Sequence, residues 1–470
     1  MGACIGTWLS ASTHEPSQKI MPGIEIIPSA RRLMKSLRDM GYDFAQAIAD
    51  VVDNSIAARS TRIRIDVEFD GDESWVRIAD DGLGMRAEEL REAMRYGAER
   101  DYDDEDLGKF GLGLKTASMS QCRRLSVASR WNPKRAEVHA YAWDLEHIEG
   151  TNKWEILPLT RQEHGPALHD VLKDRPGTVV LWQRLDRILG YRHPYGESAK
   201  NRLAQMAREA EQHLSMVLHR FLSGDAKRRI HIHVNDNEVR PWDPFCRSEP
   251  RTSKWEPLYV RVEEEGAKGA VRIEPYILPH QSDFSSPSAF KNAAGPNGWN
   301  QQQGLYVYRA GRLIQSGGWS RLRAPDEHTK LARVAVSFAP SLDEAFKVNV
   351  AKMRVQIPSS IRDELASLIQ QLTREARRVY DRKEKKNPAS DGGSSTVSKG
   401  SGRGGGSDAG VIGASSKPGD ARSRPMSDVD RKLNLDEWTA LTLSAATTRE
   451  KPVVKAVLER LETHNTRRVG

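Results

Sequence analysis

The sequence predicts an α+β protein: two successive regions of mixed sheet and helix, then a flexible linker and a short helical tail. Three observations predict it. Two runs of alternating apolar residues, Arg62 to Val67 and Trp75 to Ala79, flank the turn signal Asp70-Gly71-Asp72. Amphipathic stretches with helical period stand before and after them. A Gly/Ser-rich run, Gly400 to Ser407, separates all of this from the C-terminal stretch.

In order, Ser29 is a helix cap before Ile27 to Met40 settles into a helix, and Asp43 caps a second helix, Phe44 to Ala58, with Ala47, Val51 and Ile56 on its apolar face. The two alternating strands follow. A short helix, Ala87 to Arg95, a helix from Leu114 to Ser120, and strands Arg124 to Ser129, Glu137 to Trp143 and Thr178 to Trp182 complete a mixed sheet with helices on one face. A long helix is expected from Asn201 to Phe221, running into the strand Arg229 to Val234. The second α+β region holds strands Gly304 to Arg309 and Ala332 to Phe338 and closes on a basic helix, Ser359 to Lys385. Two amphipathic pieces, Leu435 to Ala445 and Lys451 to Leu461, form the tail.

At 470 residues the chain suggests two or three domains, each large enough to bury a core. No uninterrupted apolar run of about 18 residues occurs, which argues against a membrane-spanning helix. Three scattered cysteines, Cys4, Cys122 and Cys246, fit neither a disulfide framework nor a cysteine zinc site and suit a reducing, cytoplasmic setting. The N-terminus has Gly6 where a myristoylation signal needs Ser or Thr, and it lacks a basic signal-peptide region, so residues 1–23 are expected to be a disordered leader. A net charge of +8 is compatible with a phosphate-backbone partner and equally with a well-solvated surface.

The chemistry concentrates between Ala49 and Lys115. Asp50 and Asn54 lie four apart on one helix and so share a face. An Asn carbonyl oxygen is a hard ligand of the kind Mg²⁺ takes beside phosphate oxygens, and a carboxylate one turn earlier can orient or deprotonate an attacking water. Asp80-x-Gly82-x-Gly84 turns the chain after a strand, the glycines permitting positive φ and close backbone approach. The run Gly108 to Lys115 is not a P-loop, because Leu114 intervenes before Lys115-Thr116 and no strand directly precedes it. It reads instead as a phosphate cradle, with the backbone N–H groups of Gly111, Leu112 and Gly113 at a helix start and Lys115 neutralising phosphate charge. The acidic run 101–106 fails as a calcium loop, its glycine being misplaced, and reads as part of the same lid.

These motifs in this order, closed by Gly177-Thr178, resemble the Bergerat ATP site of the GHKL superfamily, which includes gyrase B, the ninety-kilodalton heat-shock chaperones, MutL, histidine kinases and MORC proteins. The resemblance implies that Asp50 stands for the family's catalytic Glu, one methylene shorter; that Asn54 holds Mg²⁺; and that Asp80 accepts the adenine amino group with Thr178 in its water cluster. It also implies that Met85 packs on the purine and that Gly82, Gly84, Gly108, Gly111, Leu112, Gly113 and Lys115 serve the nucleotide. Downstream, Tyr306 to Ile314, Val234 to Pro241 and Asn349 to Val355 resemble the transducer domain of MORC and MutL ATPases, whose loop lysine senses the γ-phosphate; Lys352 is the counterpart.

The expected organisation is therefore a leader at 1–23, a Bergerat α/β sandwich at 24–200, a transducer-type α+β domain at 201–386, a linker at 387–428 and a helical tail at 429–470. The expected activity is a slow, Mg²⁺-dependent ATPase that forms a nucleotide-dependent homodimer and works as a clamp. DNA is the expected client, with any cutting left to a partner nuclease or other effector. An ATP-driven clamp for proteins is the alternative. A histidine kinase is a distant third, since His14 lies in a polar leader too close to Asp50 for a phospho-acceptor helix.

Overall fold

Asp43 Oδ1 accepts a hydrogen bond from the Gln46 amide while the Asp43 amide donates to Gln46 Oε1, a capping box that starts helix α2 (Phe44–Ala57) at the cap the sequence predicts. Ser29 likewise caps α1 (Ala30–Arg38), which is shorter at both ends than expected. The structure, a computed structural model, describes residues 26–39, 41–98, 113–131, 137–190, 193–349 and 355–382, with side chains 164–166 left aside. All of them belong to one compact unit.

The first sheet is built from β1 (Arg62–Glu68), β2 (Trp75–Asp80), β3 (Arg124–Arg130), β4 (His139–Asp144), β5 (Leu157–Pro158), β6 (Gly177–Gln183), β7 (His231–Val234) and β8 (Asn237–Glu238), in the order β5-β4-β3-β6-β2-β1-β7-β8. Its pairs are antiparallel except β1 with β7. Alternation decides the faces. Ile63, Ile65, Val76, Ile78, Leu125, Val127, Val180 and Trp182 point into the main core, under α1, α2, α4 (Gly113–Met119) and α7 (Glu197–Val217). Between these come α3 (Ala87–Met94) and α5 (Leu145–Thr151). The expectation of helices on a single face needs correction. Ala79, Ala128, Val179 and Leu181 point the other way and meet Leu168 and Leu172 of α6 (Arg161–Leu172). Small residues on that side let the extra helix approach.

The long helix also differs. It ends at Val217, and Leu218 (φ −111, ψ 13) breaks it before α8 (His219–Ser223). That kink turns His219 and Phe221 into the core, where His219 shares a 2.8 Å hydrogen bond with Tyr308.

The second sheet comprises β9 (Ser253–Lys254), β10 (Leu258–Glu264), β11 (Ala267–Ile277), β12 (Gly304–Arg309), β13 (Arg312–Ser316) and β14 (Ala332–Phe338), ordered β10-β11-β14-β12-β13 with β9 on β11. The short helices α9 (Pro287–Ala293) and α10 (Gly298–Gln302) precede β12. One face carries Ile273, Leu305, Val307, Val334 and Val336 under α11 (Ser359–Tyr380), whose Ile361, Leu365, Ile369, Leu372 and Ala376 form its buried stripe. The opposite face carries Tyr276, Tyr306, Tyr308 and Ala335, and these belong to the same apolar cluster as the first sheet. The two sheets thus share a continuous core through α7 and an aromatic layer in which Phe245 stacks on Tyr276 at 4.5 Å.

The strand order places β6 between β2 and β3, so its first residue sits beside the end of β2. Gly177 has φ 144, and a Cβ there would stand 2.1 Å from the Asp80 carbonyl oxygen. Gly177→Ala is therefore expected to cost about 1–3 kcal/mol in urea unfolding; an unchanged midpoint would refute this close approach.

Candidate nucleotide site

Asp80 is the last residue of β2, only 6% exposed, and three elements converge on it. Register explains two of the contacts. Ala79 pairs with Val179, which sets Thr178 opposite Asp80, and Ser129 pairs with Thr178 from the other side. The Thr178 amide donates to Asp80 Oδ1 at 3.2 Å, the Gly82 amide donates to the same oxygen at 2.9 Å, and the Ser55 hydroxyl of α2 donates to Oδ2 at 2.9 Å. Burial pushes the Asp80 carboxyl above its ordinary range, although these three donors pull it down. A carboxylate held this far from water can also accept a donor from a ligand.

The turn after Asp80 is set by close packing. Gly84 has φ 66, and a Cβ there would lie 2.0 Å from the Arg130 carbonyl oxygen, so glycine is required. Met85, half-buried, donates its amide to Ser129 Oγ at 2.8 Å, and Ser129 Oγ is 3.0 Å from Thr178 Oγ1. Asp80, Gly82, Gly84, Met85 and Thr178 are thereby brought together. Ser55 and Ser129, which join them, were not foreseen; strand register would have pointed to Ser129.

One turn before Ser55, the helix presents the second cluster. Asp50 is 3% exposed, and the Tyr42 hydroxyl donates to its Oδ2 at 2.9 Å. Asn54 is exposed and donates Nδ2 to the Asp50 carbonyl at 2.8 Å. A Cβ built on Gly113 would lie 3.7 Å from Asp50 Oδ2, so the start of α4 stands beside the carboxylate. From the second sheet, Arg312 Nε reaches both oxygens of Asp53 at 2.7–2.8 Å, and another of its nitrogens is 3.6 Å from Asp50 Oδ1. Asp53 and Arg312 are 1% and 4% exposed. Sequence reasoning missed both as site residues; the acid next to Asn54 was the available signal for Asp53.

Lys115 departs from its expected place. Its Nζ donates to the Ala93 carbonyl at 2.9 Å and lies over the Tyr96 ring, and burial lowers its pKa to about 8. The carbonyls ending α3 attract a cation, and Tyr96 with Trp143 and Trp154 supplies the apolar wall. Gly108, Gly111, Leu112, the acidic run 101–106 and Lys352 lie outside the described residues. Among the described residues no helix is long and apolar enough to cross a membrane, and no cluster of His, Cys, Asp and Glu suits a metal by itself. Cys122 and Cys246 are free and buried.

The raised pKa fixes a sign. Asp80 favours the folded state fully below the ordinary carboxylate range, and that contribution is lost as pH rises through its folded pKa. Asp80→Asn should therefore melt no lower than the parent near neutral pH, with the difference growing from acid to neutral. Nucleotide binding by calorimetry should vanish in the same variant. A variant that melts far lower at pH 7, or that still binds, contradicts this assignment.

Residues 42–178 match the family described as histidine kinase-, DNA gyrase B- and HSP90-like ATPase. The chaperone protein HtpG of Wolinella succinogenes is 27% identical over 139 residues, 27% of this chain and 21% of that protein. The DNA mismatch repair protein MutL of Bradyrhizobium diazoefficiens is 34% identical over 118 residues, 24% of this chain and 18% of that protein. A longer match, 27% identical over 278 residues, joins 58% of this chain to 38% of the MutL of Shewanella halifaxensis. The chain thus spans well under half the length of these curated relatives. The matched segment carries Asp80 and Thr178 in one cluster and Asp50 and Asn54 in the other; it is of the GHKL ATPase type and has MutL-like relatives.

Proposed function

We propose that the chain is a slow, Mg²⁺-dependent ATPase whose ATP-gated dimerisation drives a clamp-like cycle on DNA, as a MORC-like member of its superfamily in a DNA-handling or defence system. The observation that carries the nucleotide reading is the buried Asp80 carboxylate framed by Thr178, Gly82 and Ser55. It suits an adenine amino group, with Met85 and Gly84 beside it. The ATP-binding part is proposed as 24–200, its sheet completed by β7 and β8 from the region 201–386.

The donor set fits Mg²⁺. Nδ2 of Asn54 is committed to the Asp50 carbonyl, which leaves Oδ1 as the amide's ligand atom on an exposed surface. A single hard oxygen suits an ion that keeps waters and phosphate oxygens in its shell. Bound there, Mg²⁺ would neutralise charge on the phosphates. Asp50 lies one turn back, fixed by Tyr42, and orients or deprotonates the attacking water. Being one methylene shorter than Glu, it holds that water at a distance, and a misplacement of about 1 Å can cost about a hundredfold. Asp50→Asn is expected to abolish hydrolysis while retaining ADP binding, and Asp50→Glu to raise turnover. Parent-like hydrolysis by Asp50→Asn would mean that another group is the base.

Two further steps extend this reading. A nucleotide-dependent homodimer follows if Lys352 reaches the γ-phosphate from the second region. A non-hydrolysable ATP analogue should then raise the mass seen by light scattering, and Lys352→Ala should weaken the shift. The DNA client draws support from the MutL relatives, named for DNA mismatch repair. The basic end of α11 supports it less than its sequence suggests, because Arg378 pairs with Glu375, Arg377 with Asp381 and Arg382 with Asp283. The HtpG matches, named as chaperones, favour the protein-clamp alternative. A DNA titration across salt, with and without the analogue, separates the two. Phosphate contacts require affinity to fall with a slope near −0.9 per contact, and no affinity at low salt in either state would favour a protein client.

A further inference from the structure

β12 and β13 are joined by Ala310 and Gly311, both at positive φ (48 and 88), a tight turn that opens β13 directly at Arg312. The guanidinium enters α2 from the second sheet. Asp53 grips its Nε with both carboxylate oxygens, whereas the approach to Asp50 Oδ1 is longer, at 3.6 Å. Tyr42 holds the other oxygen of Asp50 at 2.9 Å. Asp50 is thus flanked by a donor from its own region and a cation from the next. Asp53 anchors that cation, and the cation faces Asp50.

A buried guanidinium between two carboxylates is a geometric constraint more than a source of net stability. Burial disfavours its charge, but Asp53 and Asp50 outweigh burial and push the Arg312 pKa up. The site therefore keeps a fixed positive charge one contact away from the proposed base. It arrives on a hairpin that belongs to a different sheet, so displacement of that hairpin would move the charge.

We propose that Arg312 is a positioning residue for Asp50, anchored by Asp53, through which the placement of the β12–β13 hairpin sets the rate of ATP hydrolysis. This rests on Asp50 being the base. Arg312 holds the Asp50 carboxylate in one orientation. It leaves the adenine end, at Asp80, untouched.

The test measures kcat, KM, ADP affinity and melting in the full chain. Arg312→Met should lower kcat by about tenfold or more and leave ADP affinity within about twofold. Arg312→Lys should restore part of the rate, keeping the charge but not the fork. The titratable groups facing Arg312 are Asp50 and Asp53 on α2, Tyr42 before it and His213 on α7. His213 is held neutral, its pKa lowered to about 4 by burial, and Tyr42 is pushed well above its ordinary value by burial, so the carboxylates are the charged partners of Arg312. If Arg312→Met unfolds, the charge-balanced pair Asp53→Asn with Arg312→Gln removes the buried mismatch and should show the same kcat loss. Parent-like kcat in either folded variant, or a loss shared equally by ADP affinity, overturns the proposal. A parent that binds ADP but never hydrolyses ATP overturns the ATPase reading first, and this proposal with it.

Discussion

The site depends on one constraint, a carboxylate at the end of β2 that is taken out of water and held by three donors from three segments. Ser55 reaches it from α2, Thr178 from β6 and Gly82 from the turn that follows. Each donor is in place for a structural reason: a helix lying on the sheet, an antiparallel register, and a turn too tight for a side chain. Burying a charge is costly, and the raised pKa of Asp80 records that cost. The surrounding architecture sustains it. A buried acceptor then makes a sharp discriminator, since a ligand without the matching donor leaves it unpaired.

A second constraint joins the two halves. The face of the second sheet that carries Tyr306 and Tyr308 shares its apolar cluster with the first, and α7 lies between. Through this layer the β12–β13 hairpin brings Arg312 to Asp53 and Asp50. The proposed adenine and hydrolytic ends are thus supported differently: Asp80 by a helix, a strand and a turn of the first region, Asp50 by a tyrosine from its own side and an arginine from the other. Lys115, in turn, stands on the Ala93 carbonyl, where it closes α3.

Much of this was legible in the sequence because it is local. The cap at Asp43, the i, i+4 pair of Asp50 and Asn54, and the Asp80-Gly82-Gly84 turn each lie within a few residues, where helix periodicity and turn chemistry apply. Thr178 became legible through the order of motifs. Arg312 did not, because its partner Asp53 is 259 positions away and no spacing rule connects them. Nor did Asp53, since burial of a helix acid requires a partner that only the fold supplies. The break at Leu218 and the helix on the small-residue face of the sheet were likewise hidden, being decided by tertiary packing over local propensity.

The central claim is that Asp80 reads the base of a nucleotide, and base selectivity measures it most directly. Calorimetric titration of the full chain with Mg²⁺·ADP and then Mg²⁺·GDP compares two ligands with the same phosphates and sugar. Adenine offers an amino donor where guanine offers a carbonyl oxygen, which a buried carboxylate repels. The account predicts saturable ADP binding and no detectable GDP binding under the same conditions. Equal affinity for the two would contradict it.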